Sequence, residues 1–473
     1  MKLKLILLSA VIALNTVALT GCSSEKDPSA VENASTTTTS GAEQDEKSES
    51  NSEDEQAPSE EEQGSTGEVG EIDPDMWNVL PYIDETPVEE FEYENAYSDE
   101  EGIRITGYLG DLTEVRIPDT IDNQPVYFVA IDDYVVISEL ILPDTVKSLS
   151  LRNSESYLEY VNIPSNLKIG ATFQRNKKLT AVYINKGTTE IDPEAFSGCT
   201  GLTSVSIPNS MTKIGYSAFF GCTSLTSINI PNSVTDIGGA AFRDCTALTS
   251  FTFSSGMTKI VKVLQGCTGL TSITIPDGVV EIEDYAFLDC TSLTSVSLSN
   301  TLRYLSGFSN CRSLISIDIP DSVNEIGEYA FEKCIGLTSI TIPDSVLKID
   351  QGAFADCINL TSVNIPDKVT EISVALFKHC ESLSSCTIPN GVTKVGGFAF
   401  QDTALTSIVV PDGVTEIGEY AFSGCRDLTS ITIPDSVTAI RKYAFYSNVT
   451  VSCPSGSYAE EYAIRENIPY TTI

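Results

Sequence analysis

Apolar and polar positions along this chain follow one pattern that returns about every 23 residues from residue 112 onward. The segment L-T-S-V-S-I-P at 202–208 comes back as L-T-S-I-T-I-P at 337–343 and again at 428–434. Inside each copy alternate residues are apolar, which predicts a short strand with one buried face. The Pro that follows ends the strand, because it cannot donate a hydrogen bond to a neighbouring strand.

The rest of each repeat predicts a return path to the next strand. In one copy Val323 and Ile326 form a second apolar pair, Gly327 permits a turn, and Ala330-Phe331 supplies a small and a large core residue. Repeats start at Leu112, Ile137, Leu158, Leu179, Leu202, Leu225, Leu248, Leu270, Leu293, Leu314, Leu337, Leu360, Leu383, Leu405 and Leu428. One coil cannot bury its apolar side alone, but a stack forms a continuous core. The sequence therefore predicts a β-rich solenoid of about fifteen coils over residues 112–453.

Cysteines recur once per coil at a single register. They are Cys199, Cys222, Cys245, Cys267, Cys290, Cys311, Cys334, Cys357, Cys380 and Cys425. One register in a stack predicts a column of side chains that all point the same way. Because a free Cys behaves as a small buried hydrophobe, we interpret the column as buried thiols. Disulfides between neighbouring coils, common in exported proteins, and a metal site are the alternatives.

Charged residues precede the second apolar pair with signs that largely alternate. The position carries Lys168, Glu190, Lys213, Asp236, Lys259, Glu281, Tyr304, Glu325, Lys348, Glu371, Lys394 and Glu416. Stacking places opposite charges side by side, and such pairs stabilise the register. We interpret this row as a structural device with no ligand.

The first hundred residues differ from the repeats in composition. Residues 1–21 hold Lys2 and Lys4 followed by a short apolar run, which indicates a secretory signal peptide. From 22 to 85 the chain is rich in Ser and Glu, and 25–101 holds 26 acidic and 2 basic residues. We predict a disordered acidic stalk over 22–85, because so few apolar residues cannot form a core. An N-terminal cap over 86–111 and a C-terminal cap over 454–473 complete the predicted organisation.

The repeat motif resembles a known family. L-x-x-I-x-I followed by I-P-[D/N]-x-V and A-F-x-x-C is similar to the BspA-type leucine-rich repeats of bacterial surface proteins. That resemblance implies a right-handed solenoid with a parallel sheet on the concave face and short strands or 3-10 turns on the convex face. It also implies adhesion and protein binding at the cell surface. The ending Leu-Thr-Gly-Cys at 19–22 resembles a bacterial lipobox, which implies that Cys22 is lipidated.

Little in the sequence points to catalysis, to a metal or to a cofactor. His379 is the single His, and neither a G-x-S-x-G nor an H-E-x-x-H motif occurs. The formal net charge of −38 argues against a nucleic-acid partner, whose phosphates would repel it. We therefore expect no enzyme, no cofactor and a membrane contact only through the lipid on Cys22.

The early coils depart from the uniform Thr, Ser and Asn of the later strands. The departing residues are Glu114, Arg116, Glu139, Ile141, Glu159, Tyr160, Asn162 and Tyr183. They are large or charged where the core does not require it, and Tyr and Arg often anchor interfaces. We predict that these eight form the ligand-binding face, although terminal repeats are also often irregular for structural reasons alone.

These observations favour a lipid-anchored binding protein of the bacterial cell surface, with an extracellular protein or a glycan as partner. Adhesion or protein–protein interaction is the leading interpretation. A carbohydrate-binding surface protein and a passive structural spacer without a specific ligand are the alternatives. Exposed aromatic rings would favour the first alternative.

Replacing Cys22 with Ser removes the predicted acylation site, so we expect the protein to lose metabolic lipid labelling and to leave the membrane fraction. Replacing Ser23 with Ala is the matched control, and it leaves both properties unchanged. Retained labelling in the Cys22→Ser variant would show that the anchor lies elsewhere.

Overall fold

The computed structural model describes residues 83–96, 102–131, 135–151, 157–445 and 448–473. The predicted signal peptide, Cys22 and the predicted stalk up to residue 82 lie outside the described residues. The described chain forms a parallel β-solenoid of about 16 turns spaced by ~23 residues, which confirms the fold that the repeats predict.

The front face is built from the first strands of the coils, which pair into four sheets in the described part of the chain. Equivalent strands pair in parallel and in register, as in Ser272 opposite Ser295. The front strands are β3 (Glu114–Arg116), β6 (Glu139–Ile141), β8 (Tyr160–Ile163), β9 (Ala181–Ile184), β11 (Ser204–Ser206), β15 (Ser272–Thr274), β17 (Ser295–Ser297), β20 (Ser339–Ile340), β22 (Ser362–Val363), β25 (Ser407–Val409), β27 (Ser430–Thr432), β29 (Thr450–Cys453) and β30 (Tyr470–Thr472). Between them, coils without a regular strand still bury the same positions, such as Ile228 and Ile230.

A back row of two-residue strands follows the turns at the ends of the front strands. They are β10 (Glu190–Ile191), β12 (Lys213–Ile214), β13 (Asp236–Ile237), β14 (Lys259–Ile260), β16 (Glu281–Ile282), β18 (Tyr304–Leu305), β19 (Glu325–Ile326), β21 (Lys348–Ile349), β23 (Glu371–Ile372), β24 (Lys394–Val395), β26 (Glu416–Ile417) and β28 (Ala439–Ile440). Consecutive turns then lead to the Cys. Among the described residues the one 3-10 helix is Val88–Glu90, so the back row consists of the predicted short strands.

The N-terminal end has longer strands. They are β1 (Phe91–Asn95), β2 (Ile103–Tyr108), β4 (Thr120–Ile121), β5 (Gln124–Ile131) and β7 (Ser148–Leu151). Strand β1 pairs antiparallel with β2, and β2, β5 and β7 continue in parallel. Leu112, a predicted core residue, is 52% exposed, whereas Leu158 and Leu179 are buried.

Phenylalanine side chains form a stack along the core. From Phe173 to Phe242, and again from Phe287 to Phe445, rings of successive coils lie nearly parallel with centroids 4.9–5.8 Å apart. Between the two runs Leu264 replaces Phe. There Phe251 and Phe253 of the same coil bridge the gap through edge contacts. Each aromatic pair contributes about 0.5–1.5 kcal/mol beyond its burial.

The cysteine register is a column of buried, free thiols, as the spacing predicts. Each thiol donates a hydrogen bond to a backbone carbonyl one coil earlier, as Cys357 does to the Phe331 oxygen at 3.1 Å. Where Thr403 replaces Cys, its hydroxyl donates to the Phe400 oxygen at 3.0 Å. Burial raises the pKa of the Cys357 thiol to about 12. The column is therefore a set of protonated hydrogen-bond donors.

Opposite charges meet along the back row, which confirms the predicted device. Lys348 lies 2.8 Å from Glu325, and Lys259 lies 3.2 Å from Glu281. The pairs Lys213–Asp236 and Lys394–Glu371 are 3.5 Å apart. These side chains are exposed, so each pair contributes roughly 0.2–1 kcal/mol. The row fixes register more than it adds stability.

A single α-helix closes the C-terminal end. Helix α1 (Tyr458–Glu466) begins where the Ser457 hydroxyl accepts a hydrogen bond from the Glu460 N–H. Tyr462 lies edge-on against Phe445, with centroids 5.8 Å apart, and so ends the aromatic stack. Within the described ranges no helix is long and apolar enough to span a bilayer.

The thiol column predicts a loss of stability in alkaline solution. The pKa of Cys357 is about 12 in the folded chain against an ordinary value of 9.0. Stability is therefore complete below pH 9 and falls between pH 9 and 12, because the unfolded chain loses protons first. Each buried thiol contributes up to about 1.4 kcal/mol per pH unit to this fall.

Urea unfolding at a series of pH values from 8 to 11 measures the effect. Because Tyr and Lys also titrate there, Cys357→Ala is compared with the native chain, and we expect a shallower fall in the variant. Equal slopes in the two proteins would contradict a protonated, buried column.

Candidate functional site

The first five front strands form one continuous sheet in the order β3-β6-β8-β9-β11. Its register places Glu114 opposite Glu139, and Glu139 opposite Tyr160. Arg116 lies opposite Ile141, and Asn162 lies opposite Tyr183. The residues predicted from the sequence therefore occupy two adjacent columns on one face, with Glu159 exposed just before β8.

A cavity of about 210 Å³ opens beside the second column. Arg116, Ile141 and Asn162 line it, together with residues that the sequence analysis did not select, Asp119 and Asp144 among them. The further lining residues are Ile83, Ile117, Leu142, Pro143 and Asn185. Glu114, Glu139, Glu159, Tyr160 and Tyr183 lie outside the cavity wall. The structure thus places three predicted residues in the cavity and five on the sheet around it.

Asn162 supports the cavity from inside. It is 2% exposed, its Oδ1 accepts from the Leu142 N–H at 2.7 Å, and its Nδ2 donates to the Leu142 oxygen at 2.8 Å. Asn364 makes the same pair of bonds to Ile342 in a later coil. The amide of Asn162 therefore holds backbone, and its part in binding is to shape the wall.

Arg116 is held by the chain segment that enters the solenoid. Its N–H donates to Thr86 Oγ1 at 3.0 Å, and the Thr86 N–H donates to the Arg116 oxygen at 3.2 Å. The guanidinium Nη1 lies 3.5 Å from the Ile83 oxygen. Ile83 and Thr86 are both buried in this contact. The segment therefore covers the free edge of β3.

Tyr160 and Tyr183 provide the aromatic part of the face. Both side chains are half-buried. The pKa of Tyr160 is raised well above its ordinary value, chiefly by burial and then by the proximity of Tyr183 and Glu139. The Tyr160 hydroxyl therefore keeps its proton at neutral pH and can donate a hydrogen bond.

The later front strands use their threonines for structure. The hydroxyl of Thr203 donates to the Thr180 oxygen one coil earlier at 3.0 Å, and Thr361 does the same to Thr338. Thr294 repeats the bond to Thr271 at 3.0 Å. These hydroxyls bond to the backbone of the preceding coil. The outward positions of the later strands are then left with small Ser, Thr and Asn side chains.

The back turns carry an aromatic ladder that the sequence analysis missed. Phe398, Tyr420 and Tyr443 stack with centroids 5.1 Å apart. All three have left-handed backbone, with φ of 61°, 57° and 58°. The recurring F-A-F and Y-A-F triplets at 398–400, 420–422 and 443–445 carry the signal that could have revealed it. The rings face one another, and Tyr443 is 60% exposed at the end of the row.

His379 joins three neighbouring coils. Its Nδ1 lies 2.8 Å from Asp356 Oδ1, and its Nε2 lies 3.4 Å from Asp402 Oδ2. Both ring nitrogens are directed at carboxylates, which leaves neither to activate a nucleophile. The half-exposed imidazole therefore bridges two carboxylates at the surface.

Replacing Asn162 with Ala leaves the N–H and C=O of Leu142 unsatisfied inside the protein. We expect a loss of about 1–3 kcal/mol in the free energy of unfolding. Ser206→Ala, at the same strand position two coils later, is the matched control and should change stability by less than about 0.5 kcal/mol. Equal losses in urea unfolding would show that the amide does not hold the wall.

Comparison with known proteins identifies the repeats. A model of the BspA type leucine rich repeat region, in 6 copies, matches residues 168–264, 261–383, 304–412 and 370–457. No curated protein sequence matches the chain.

The chain is also similar to solved structures of other bacterial proteins. A leucine-rich repeat protein from Bacteroides ovatus ATCC 8483 is 27% identical, with a TM-score of 0.66 over 82% of this chain and 99% of the other. A leucine rich cell surface protein from Faecalibacterium prausnitzii A2-165 is 25% identical, with a TM-score of 0.45 over 80% and 97%. The family model covers more than half of the sequence, and the chain belongs to the BspA-type leucine-rich repeat family.

Proposed function

We propose that this protein is a non-catalytic binding protein of the bacterial cell surface, lipid-anchored through Cys22, that holds an extracellular protein partner on the first front strands. One observation carries the proposal. The residues that depart from the repeat converge on one face around one cavity, while the later strands stay uniform.

Apart from Asn162, whose amide holds the backbone of Leu142, packing does not require these departures. Val115, Leu140, Val161 and Val182 fill the inward positions of the same four strands and are buried as the repeat demands. The outward neighbours are free to be Ser or Thr, as they are later in the chain. Large side chains there expose apolar and charged surface that a partner can cover, and Tyr and Arg anchor many interfaces.

Family membership supports a scaffold for protein interaction. An array of similar coils presents an extended surface, and binding by such surfaces needs no deep catalytic cleft. Adhesion to another cell or to an extracellular matrix is the finer form of this proposal. The anchor on Cys22 and the acidic segment that follows it would carry the solenoid outside the cell.

Carbohydrate binding is the second candidate, and the aromatic ladder favours it. Sugars stack on open ring faces, as the aromatic platforms of many binding sites show. Phe398, Tyr420 and Tyr443 use most of their faces on one another, so the outer face of Tyr443 is the part available to a glycan. The ladder therefore offers one stacking position. A passive spacer is the reading that remains if neither surface binds.

A photo-crosslinking amino acid at Tyr183 tests the protein-binding proposal on cells that display the full-length chain. We expect a discrete protein adduct, because Tyr183 lies on the proposed face. The same amino acid at Thr432, on a late front strand, is the matched control and should give no adduct.

Substitution then checks the adduct. Changing Arg116, Tyr160 and Tyr183 together to Ala should abolish binding of the cross-linked protein, whereas changing Thr341 and Thr432 to Ala should not. Loss of binding with the second pair alone would place the site on the later strands. A glycan adduct at Tyr443, with none at Tyr183, would favour the carbohydrate alternative.

A further inference from the structure

From the charges around the cavity we infer the chemistry of its ligand: a basic, extended segment of the partner protein, with one Arg or Lys side chain inserted between the apolar wall and Asp144. The inference rests on the proposed function and names the class of partner segment for that same face.

On this face residues of like charge lie opposite each other, whereas the back row pairs residues of opposite charge. Glu114 and Glu139 are direct partners on neighbouring front strands. Like charges in that position destabilise a sheet, whereas the back row pairs Lys348 with Glu325 and Lys394 with Glu371. The front pair therefore places two carboxylates side by side on this face.

The cavity suits one long basic side chain. Its volume of about 210 Å³ is below the roughly 300–1,000 Å³ typical of drug-sized ligand sites. Ile117, Ile141 and Leu142 offer apolar wall to a methylene stem. Asp119 and Asp144 offer carboxylates to its charged head. Arg and Lys are the side chains that combine such a stem with such a head.

Arg116 does not make the net charge of the site positive. Its guanidinium is directed at the Ile83 oxygen, and it is the one cation in the cavity wall. The carboxylates of Asp119 and Asp144 line the same cavity, and Glu114, Glu139 and Glu159 lie on or next to the front strands beside it. Arg116 therefore helps to fix the entering segment, and the face as a whole stays negative.

The wider charge of the solenoid favours the same partner. Residues 102–473 hold 40 acidic and 24 basic side chains, a net of −16. A field of that sign attracts basic segments and raises their association rate at low ionic strength. Tyr160 and Tyr183 stand beside the carboxylates, where a second cation of the segment can lie over a ring.

Three labelled peptides of equal length test the ligand class against the full-length protein: one with a central Arg in a Gly/Thr sequence, one with citrulline there, and one with Glu. Citrulline keeps the shape of Arg and removes its charge. We expect the Arg peptide to bind on the order of tenfold more tightly than the citrulline peptide, with an affinity that falls as salt rises.

Charge-matched variants locate the binding. Asp144→Asn with Glu139→Gln should weaken the Arg peptide on the order of tenfold. Asp412→Asn with Asp435→Asn removes the same charge from exposed turns near the other end, and should change the affinity less than twofold. Asn at 144 keeps an oxygen for the bond from Asn185, so the wall stays intact.

Equal binding of the Arg and citrulline peptides, equal losses in both variants, or no measurable Arg binding up to about 1 mM would overturn the inference. Tighter binding of the Glu peptide would also overturn the inferred ligand class. If that binding were lost in the Asp144/Glu139 variant, the location of the site would still be correct. The cross-link at Tyr183 reports on the proposed function separately, because it depends on position and not on the charge of the partner.

Discussion

The contact between each core Phe and the following coil is the interaction on which this solenoid depends. The Phe331 N–H donates to the Ala353 oxygen at 2.8 Å, and the Phe331 oxygen accepts the thiol of Cys357 at 3.1 Å. Both bonds are buried, where an unmade bond costs about 1–3 kcal/mol. One residue in each coil thus fixes the position of the next coil along the solenoid axis and its strand register. A coil that moved this Phe would break both of these bonds between coils and interrupt the aromatic stack.

That constraint explains where the repeat can change and where it cannot. The coil with Leu264 loses its Phe, and two aromatics of the same coil, Phe251 and Phe253, bridge the gap in the stack. The thiol bond persists there, from Cys290 to the Leu264 oxygen. At Thr403 a hydroxyl replaces the thiol, but it donates to the Phe400 oxygen of its own coil and not to the preceding coil. This position therefore tolerates a change of donor together with a change of acceptor.

Sequence periodicity predicts the columns because each column needs only one residue type at one register. The buried thiols, the alternating back charges and the core Phe follow from that rule. Asn162 does not, since it occupies an outward strand position and turns to the backbone of the previous coil. The contact of Ile83 could not be predicted from the sequence either, because Ile83 lies before the first repeat and meets Arg116 only in the folded chain. The cavity depends on both, so the sequence indicated the face and not its shape.

The closed edge of β3 decides how a partner can approach. A free parallel edge would bind any extended chain through its backbone, with little regard for sequence. Thr86 exchanges hydrogen bonds with Arg116 and occupies that edge. At this end of the solenoid a partner can therefore contact the front face and not the edge. The backbone groups of the front strands are already hydrogen-bonded to one another. Recognition there must use side chains. For that reason the departures from the repeat, and above all the acidic column beside Tyr160 and Tyr183, are the features that can give this surface specificity.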